Sequence, residues 1–162
     1  MAQTNVLVVE DESIVSKDIQ HSLKKLGYNV VGAANTGENA VKLAAEYMPD
    51  IILMDIMLKG EMNGIEAAEA IRKETNIPVI FLTAYADEST LARAKVTQPY
   101  GYIIKPFKEI DIHTSIEMAL YKHKKEAEVL KERDLLYSLV ENKDSNRDIM
   151  FVKSNSRLVK LK

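Results

Sequence analysis

The residues of this chain with the clearest capacity for chemistry are acidic side chains that follow apolar runs. Asp55 lies in the run Ile51–Leu58, which is otherwise apolar and is bounded by Pro49-Asp50 and Lys59-Gly60. Such a run between turn residues is typical of a central strand in a parallel sheet. A carboxylate beside a core must be paired, bound to a metal or protonated. Asp is also a good helix N-cap, but further apolar residues follow Asp55, so we interpret it as a functional group.

Other polar groups follow predicted strands in the same way. Glu10 and Asp11 come after the first strand, Thr83 ends the fourth, and Lys105 follows the fifth. Ligands of open parallel sheets bind outside the carboxyl ends of the strands, so we expect these groups to converge. Three carboxylates at one point repel each other, and either a cation neutralises them or one is protonated. Oxygen ligands without Cys or His suit Mg²⁺, and Lys105 adds a second positive charge.

Together these groups could transfer a phosphoryl group and stabilise its charge. In this interpretation Asp55 is the nucleophile and forms an acyl phosphate. The Thr83 hydroxyl, the backbone amide of Ala84 and the Lys105 ammonium then face the phosphoryl oxygens.

The elements that must position these residues alternate between strand and helix, which predicts an α/β fold with a parallel sheet. Five strand–helix units fill the chain to about residue 121. The predicted strands are Asn5–Val9, Tyr28–Ala34, the stretch ending at Asp55, Val79–Thr83 and Tyr100–Ile104. The predicted helices are Ile14–Leu26 closed by Gly27, Gly37–Tyr47 capped by Thr36, Ile65–Lys73, about ten residues after Asp87, and a long one from near Glu109.

Composition limits the alternatives. The chain has 162 residues, 46% hydrophobic residues and a net charge of −2, so no basic field argues for nucleic acid. It has no cysteine, which excludes disulfides and thiolate metal sites and fits a cytoplasmic protein. No signal peptide or bilayer-spanning run is visible, and we expect no membrane partner.

Four fragments at the predicted strand ends carry a family resemblance. They are Val9-Glu10-Asp11-Glu12, Ile51–Asp55, Phe81-Leu82-Thr83-Ala84 and Gly101–Phe107. In this order they resemble a response-regulator receiver domain of two-component signalling. The resemblance implies a doubly wound, flavodoxin-like sheet of order 2-1-3-4-5, for which a receiver is a standard example.

The resemblance also implies the roles of the residues. Asp55 would accept a phosphoryl group from a sensor histidine kinase, and Asp11 directly, Glu10 through water and the Met57 carbonyl would hold Mg²⁺. Lys105 and Thr83 would contact the phosphoryl oxygens. Tyr102 is either a core residue or the aromatic that receivers turn inward when phosphorylated, and the resemblance favours the second, with Thr83 and Tyr102 as the switch residues. No enzyme activity is expected beyond the chain's own phosphotransfer and slow autodephosphorylation.

Two other classes share part of this pattern. A haloacid-dehalogenase-type phosphatase needs a second Asp two positions after the nucleophile, where this chain has Met57. A flavodoxin would bind flavin phosphate after the first strand, where this chain has acidic residues. Lys105 could be an ordinary surface lysine and Thr83 a simple strand residue, and we interpret His21, His113 and His123 as surface or structural groups.

One loop departs from the family pattern. Residues 57–64 lack the usual Pro and are slightly longer than the common form, which leaves the loop conformation open.

The residues after 121 carry the remaining expectations. Residues 122–148 predict a charged helical extension and a linker at Asn142–Arg147, with a possible coiled-coil seam of Leu120, Ala127, Leu130 and Tyr137 that Asp134 interrupts. Residues 149–162 predict a basic hairpin that resembles the start of a LytTR-type DNA-binding domain, or else a disordered tail. Because the fifth helix carries this extension, we expect a homodimer that phosphorylation tightens. We expect DNA as a partner only through a downstream domain. The alternative is a receiver that acts only by protein–protein contact.

Overall fold

Five parallel strands form one sheet in the computed structural model, which describes residues 3–84 and 88–147, with residues 141–147 by backbone alone. The strand order is β2-β1-β3-β4-β5, which confirms the predicted flavodoxin-like topology. The strands are β1 Asn5–Val9, β2 Asn29–Ala34, β3 Ile51–Asp55, β4 Val79–Thr83 and β5 Gly101–Ile104. The helices are α1 Ser13–Lys25, α2 Gly37–Tyr47, α3 Gly64–Glu74, α4 Glu88–Val96 and α5 Glu109–Arg147.

The core lies in two layers, one on each face of the sheet. Leu7, Ile52 and Phe81 pack with apolar residues of α2, α3 and α4. Val8, Leu53 and Ile80 pack with apolar residues of α1 and α5 on the opposite face. Every residue of β3 and β4 is buried because helices cover both faces, which explains why these strands are continuous apolar runs.

Local signals set several helix ends. The Thr36 side chain accepts a hydrogen bond from the Asn39 N–H at 3.0 Å, which confirms the predicted cap of α2. Asn63 and Glu66 form a reciprocal capping box that begins α3. Gly27 follows α1 with φ of 94°, a conformation that Gly adopts without a steric cost.

The C-terminal helix is longer than the sequence predicts. The prediction of a linker at Asn142–Arg147 is wrong, because α5 continues through Arg147. Its polar residues include no Gly or Pro, so nothing in their backbone preferences stops the helix. The chain divides into two units, Met1–Lys122 and His123–Lys162, and the predicted hairpin at 149–162 lies outside the described residues. Within the described ranges, no helix has the length and apolar character needed to cross a membrane.

Candidate functional site

The three carboxylates that the sequence places after strands converge at the carboxyl edge of the sheet. Oxygens of Glu10, Asp11 and Asp55 all lie within 4.8 Å of one another. Glu10 follows β1 and Asp55 ends β3, the neighbouring strand, so parallel pairing brings them together. Glu10 and Asp55 are buried, while Asp11 is half-buried. The predicted convergence of these three residues is therefore present in the structure.

Lys105 bridges two of these acids. Its Nζ donates hydrogen bonds to Glu10 Oε1 at 3.0 Å and to Asp55 Oδ2 at 3.2 Å. Burial lowers the pKa of Lys105, but the hydrogen bond to Glu10 and the charges of Asp55 and Glu10 outweigh it and raise that pKa. Lys105 thus stays protonated over the whole physiological range. It is a site residue in this structure, and its side chain is only 19% exposed.

Glu10 has a raised pKa in this cluster. Burial raises its pKa to about 7, and the nearby charge of Asp55 contributes to the increase. The hydrogen bonds from Lys105 and from the Glu12 N–H, the latter 3.2 Å from Glu10 Oε2, oppose it. The cluster places three carboxylates beside the single ammonium group of Lys105, so a further cation there would lower their mutual repulsion.

The loop after β3 holds the other two acids in place. The Met57 N–H donates to Asp55 Oδ1 at 3.0 Å, and the Lys59 N–H donates to Asp11 Oδ2 at 3.0 Å. Gly60 has φ of 99°, so the loop turns there without a Pro. Leu58 is buried, whereas the Met57 side chain is 67% exposed. The loop that departs from the family pattern is thus anchored to both Asp11 and Asp55.

Gly64 positions Asp55 and is not among the predicted site residues. A Cβ on Gly64 would lie 2.0 Å from the Asp55 carbonyl oxygen and 2.8 Å from the Ile56 Cα. The Gly64 N–H also donates to the Ile56 carbonyl at 2.9 Å. The first turn of α3 therefore packs directly on the backbone that carries Asp55. A Gly just after the Asn63 cap is the only sequence signal for this contact.

The residues after β4 and β5 complete the edge. Thr83 is buried, and its carbonyl accepts a hydrogen bond from the Lys105 N–H at 2.8 Å. Ala84 is exposed beside it, and Tyr85 lies outside the described residues. The Tyr102 ring stacks on Phe81 at a centroid distance of 6.2 Å. The Tyr102 hydroxyl is buried without a hydrogen-bond partner among the described residues, and burial raises its pKa.

A second polar cluster joins Tyr28, the residue before β2, to α5. The Tyr28 hydroxyl donates to Glu117 Oε2 at 2.6 Å and lies 3.0 Å from His113 Nδ1. Burial and the hydrogen bond to Glu117 raise the pKa of Tyr28 well above its usual range. His113 therefore has the structural role that the sequence suggests, with partners that sequence spacing does not reveal.

The donor set fits a magnesium ion. The three carboxylates supply only oxygen, and Asp11 is partly exposed to solvent, so water could complete the coordination. A divalent cation would also add positive charge beside these three carboxylates.

Comparisons with known proteins agree on one family. The response regulator receiver domain model matches residues 6–117. The transcriptional regulatory protein PdtaR of Mycobacterium tuberculosis is 35% identical over 71% of this chain and 56% of its own length. The chain thus spans about half the length of that curated relative.

Solved structures give the same result. The signal receiver domain of a modulated diguanylate cyclase from Desulfovibrio desulfuricans G20 is 42% identical, covering 77% of this chain and 99% of that one, with a TM-score of 0.74. The anti-anti-sigma factor PhyR from Bartonella quintana is 30% identical, covering 80% of this chain and 52% of that one, with a TM-score of 0.67. The converged acids, the bridging lysine and these matches show that the chain belongs to the response regulator receiver domain family.

Proposed function

We propose that this chain is a phosphorylation-controlled response regulator that accepts a phosphoryl group on Asp55. The observation that carries the proposal is the bridging position of the Lys105 ammonium, within 3.2 Å of Asp55 and 3.0 Å of Glu10. A cation in this place neutralises charge on the nucleophile in the resting state. It can then contact the oxygens of an incoming phosphoryl group.

The proposed chemical step uses groups at the carboxyl edge of the sheet. An oxygen of the Asp55 carboxylate attacks phosphorus, and the bond between phosphorus and the donor histidine nitrogen breaks. The imidazole takes a proton from solvent, and Asp55 becomes an acyl phosphate. Lys105 and the Thr83 hydroxyl stabilise the phosphoryl oxygens, and the Ala84 amide adds a neutral donor. Bound Mg²⁺, held by Glu10, Asp11, Asp55 and the Met57 carbonyl, would supply further charge neutralisation.

Intact-mass measurement tests the phosphoacceptor. Incubation with acetyl phosphate and Mg²⁺ should add one phosphoryl group to the chain. Asp55→Asn keeps the size of the side chain but removes the nucleophile, so it should abolish the mass increase without unfolding the protein. A variant that is still phosphorylated to the parent level would show that another residue is the acceptor.

A binding titration tests the metal ligands. Asp11→Ala removes one of the three converging carboxylates, so Mg²⁺ affinity should fall by about tenfold or more. Asp50→Ala, outside the cluster, is the matched control and should leave the affinity unchanged. Equal affinities for both variants would place the metal elsewhere.

The partners follow from the phosphotransfer. The phosphoryl donor would be a sensor histidine kinase, and this chain would be its acceptor in the cytoplasm. Phosphorylation adds about two negative charges beside Lys105 and Thr83, which can pull the loops after β4 and β5 inward and move Tyr102. We expect the altered surface of α4, β5 and α5 to tighten a homodimer. Light scattering that gives a monomer with and without a phosphoryl mimic would contradict this.

Two outputs remain as candidates. Control of transcription is supported by the name of the relative PdtaR and by the likeness of residues 149–162 to a LytTR-type domain, through which DNA would be bound. Output by protein–protein contact alone is supported by the name of PhyR, an anti-anti-sigma factor. The codons after Lys162 distinguish them. A continuing basic, strand-rich domain supports DNA binding, and a stop codon supports protein contact.

A further inference from the structure

The described part of α5 beyond Lys122 exposes an unusual amount of apolar surface. Every described side chain from Lys124 to Val140 is exposed. Seven of them are large and apolar, namely Val129, Leu130, Leu135, Leu136, Tyr137, Leu139 and Val140. Contiguous apolar patches of this kind mark interaction sites. In addition, helices gain most of their stability in proteins by packing an apolar face.

The spacing of these residues defines one face. In a heptad written a to g, Val129 and Leu136 occupy a, Leu139 occupies d, Leu135 occupies g and Val140 occupies e. These five residues span roughly 140° of the helix surface. We call them the α5 seam. The remaining two, Leu130 and Tyr137, both lie at b, outside this face.

The register differs from the one that the sequence suggests. The possible seam through Ala127, Leu130 and Tyr137 includes only two of the seven exposed large side chains, and Asp134 interrupts it. The α5 seam includes the other five. Exposure therefore favours the α5 seam as the face that is covered in an assembly.

The charges beside the α5 seam indicate what covers it. Glu128 occupies g and Arg133 occupies e of the following heptad. In a parallel two-stranded coiled coil, a g residue contacts the e residue of the next heptad on the partner helix. A second copy of the same helix thus places opposite charges together on both sides of the seam. This g–e pair is therefore complementary in the parallel orientation, whereas the d residues Lys125 and Glu132 each face a like charge on the other copy.

We propose that residues 125–140 of α5 form a parallel, in-register two-stranded coiled coil with a second copy of this chain. The inference deepens the proposed homodimer by assigning it an interface, and it does not require phosphorylation. Lys125 and Glu132 occupy the d positions before Leu139, so the apolar contact is interrupted. A coiled coil of this length also buries less surface than the roughly 1,600 Å² of a standard interface. The association is therefore weak by itself, and a second contact can tighten it.

Single cysteines test the register and the orientation, because the chain has no cysteine of its own. Val129→Cys and Leu139→Cys should each form a disulfide-linked dimer under mild oxidation. The two positions are about 15 Å apart along the helix, so an antiparallel pair can bring at most one of them next to its own copy. Leu130→Cys is the matched control and should cross-link poorly. Cross-linking at only one seam position, or equally at Leu130→Cys, would overturn the proposal.

Leucine truncation tests the energetics on the same helix. Leu136→Ala should raise the dimer dissociation constant by about tenfold or more, whereas Leu130→Ala should change it less than about twofold. Sedimentation equilibrium of the Asp55→Asn chain measures this without phosphorylation, so its outcome is independent of phosphotransfer. A monomeric or trimeric parent, or equal effects of the two variants, would contradict the proposal.

Replacing either of two acidic residues of α5 by leucine tests whether the dimer can be strengthened. Glu132→Leu replaces a charge within the seam and should lower the dissociation constant. Asp134→Leu makes the same kind of change at position f, on the outer face, and should not. A tighter dimer from Asp134→Leu alone would show that another face of α5 forms the interface.

Discussion

Glu10 makes the stability of the metal-free protein depend on pH. Its pKa is about 7 in the folded chain, against an ordinary value of 4.5. Between these two pH values the folded state holds a proton that the unfolded state has released. The contribution of Glu10 to the free energy of unfolding is therefore largest below about pH 4.5, and it is lost as the pH rises through 7. Lys105 has a raised pKa and stays charged throughout this window, so it adds no slope of its own.

The size of the effect follows from the shift in the pKa of Glu10. One pKa unit corresponds to about 1.4 kcal/mol, so the shift makes the unfolding free energy about 3 kcal/mol smaller at pH 8 than at pH 4.5. A loss of this size is a large fraction of the stability of a typical domain. Glu10→Gln keeps the hydrogen-bonding oxygen for Lys105 but cannot ionise. We therefore expect it to remove this contribution and to be the more stable protein at pH 8.

Urea unfolding in the presence of EDTA, at half-unit steps from pH 5 to pH 8, measures the effect. The parent should lose stability with rising pH relative to Glu10→Gln, and saturating Mg²⁺ should restore it in the parent more than in the variant. The comparison of the two proteins cancels the titration of all other groups. If their stabilities differ by the same amount at every pH, the burial of Glu10 does not determine its ionisation.

Two further predictions concern the backbone and the lifetime of the phosphoryl group. Gly64→Ala places a methyl group against the Asp55 carbonyl and should destabilise the fold by about 3 kcal/mol in urea unfolding, whereas Gly101→Ala, which meets no atom within 4 Å, should change it by less than about 1 kcal/mol. Equal losses of stability in the two variants would show that the close packing of Gly64 on Asp55 does not matter for the fold. In receivers, the positions that Met57 and Tyr85 occupy in the sequence border the path of the hydrolytic water, and neither residue type orients water well, so we predict a long-lived phosphorylated state. Met57→Asn combined with Tyr85→Glu should speed phosphoryl loss by about tenfold, or roughly 1.4 kcal/mol of barrier, and an unchanged half-life would show that water access does not set the lifetime.

The sequence by itself determined the order of the elements and the edge at which the chemistry lies. β3 and β4 are apolar up to their last residues, Asp55 and Thr83, which is typical of strands that are covered on both faces. Thr36 and Gly27 mark helix ends through bonds and backbone angles that involve neighbours only a few residues away. Because parallel strands end at one edge, the positions of Asp55 and Lys105 after their strands were enough to predict that they converge.

Only the tertiary structure decided how the charges are shared and what supports them. The pKa of Glu10 is raised because the folded chain buries its side chain. Gly64 packs on the Asp55 backbone, and Tyr28 meets Glu117 across 89 positions of sequence. The limits of α5 and the face that it exposes were likewise not fixed by its polar composition. Propensity and spacing report on neighbours within a few residues, whereas burial and long-range contacts depend on which elements pack together.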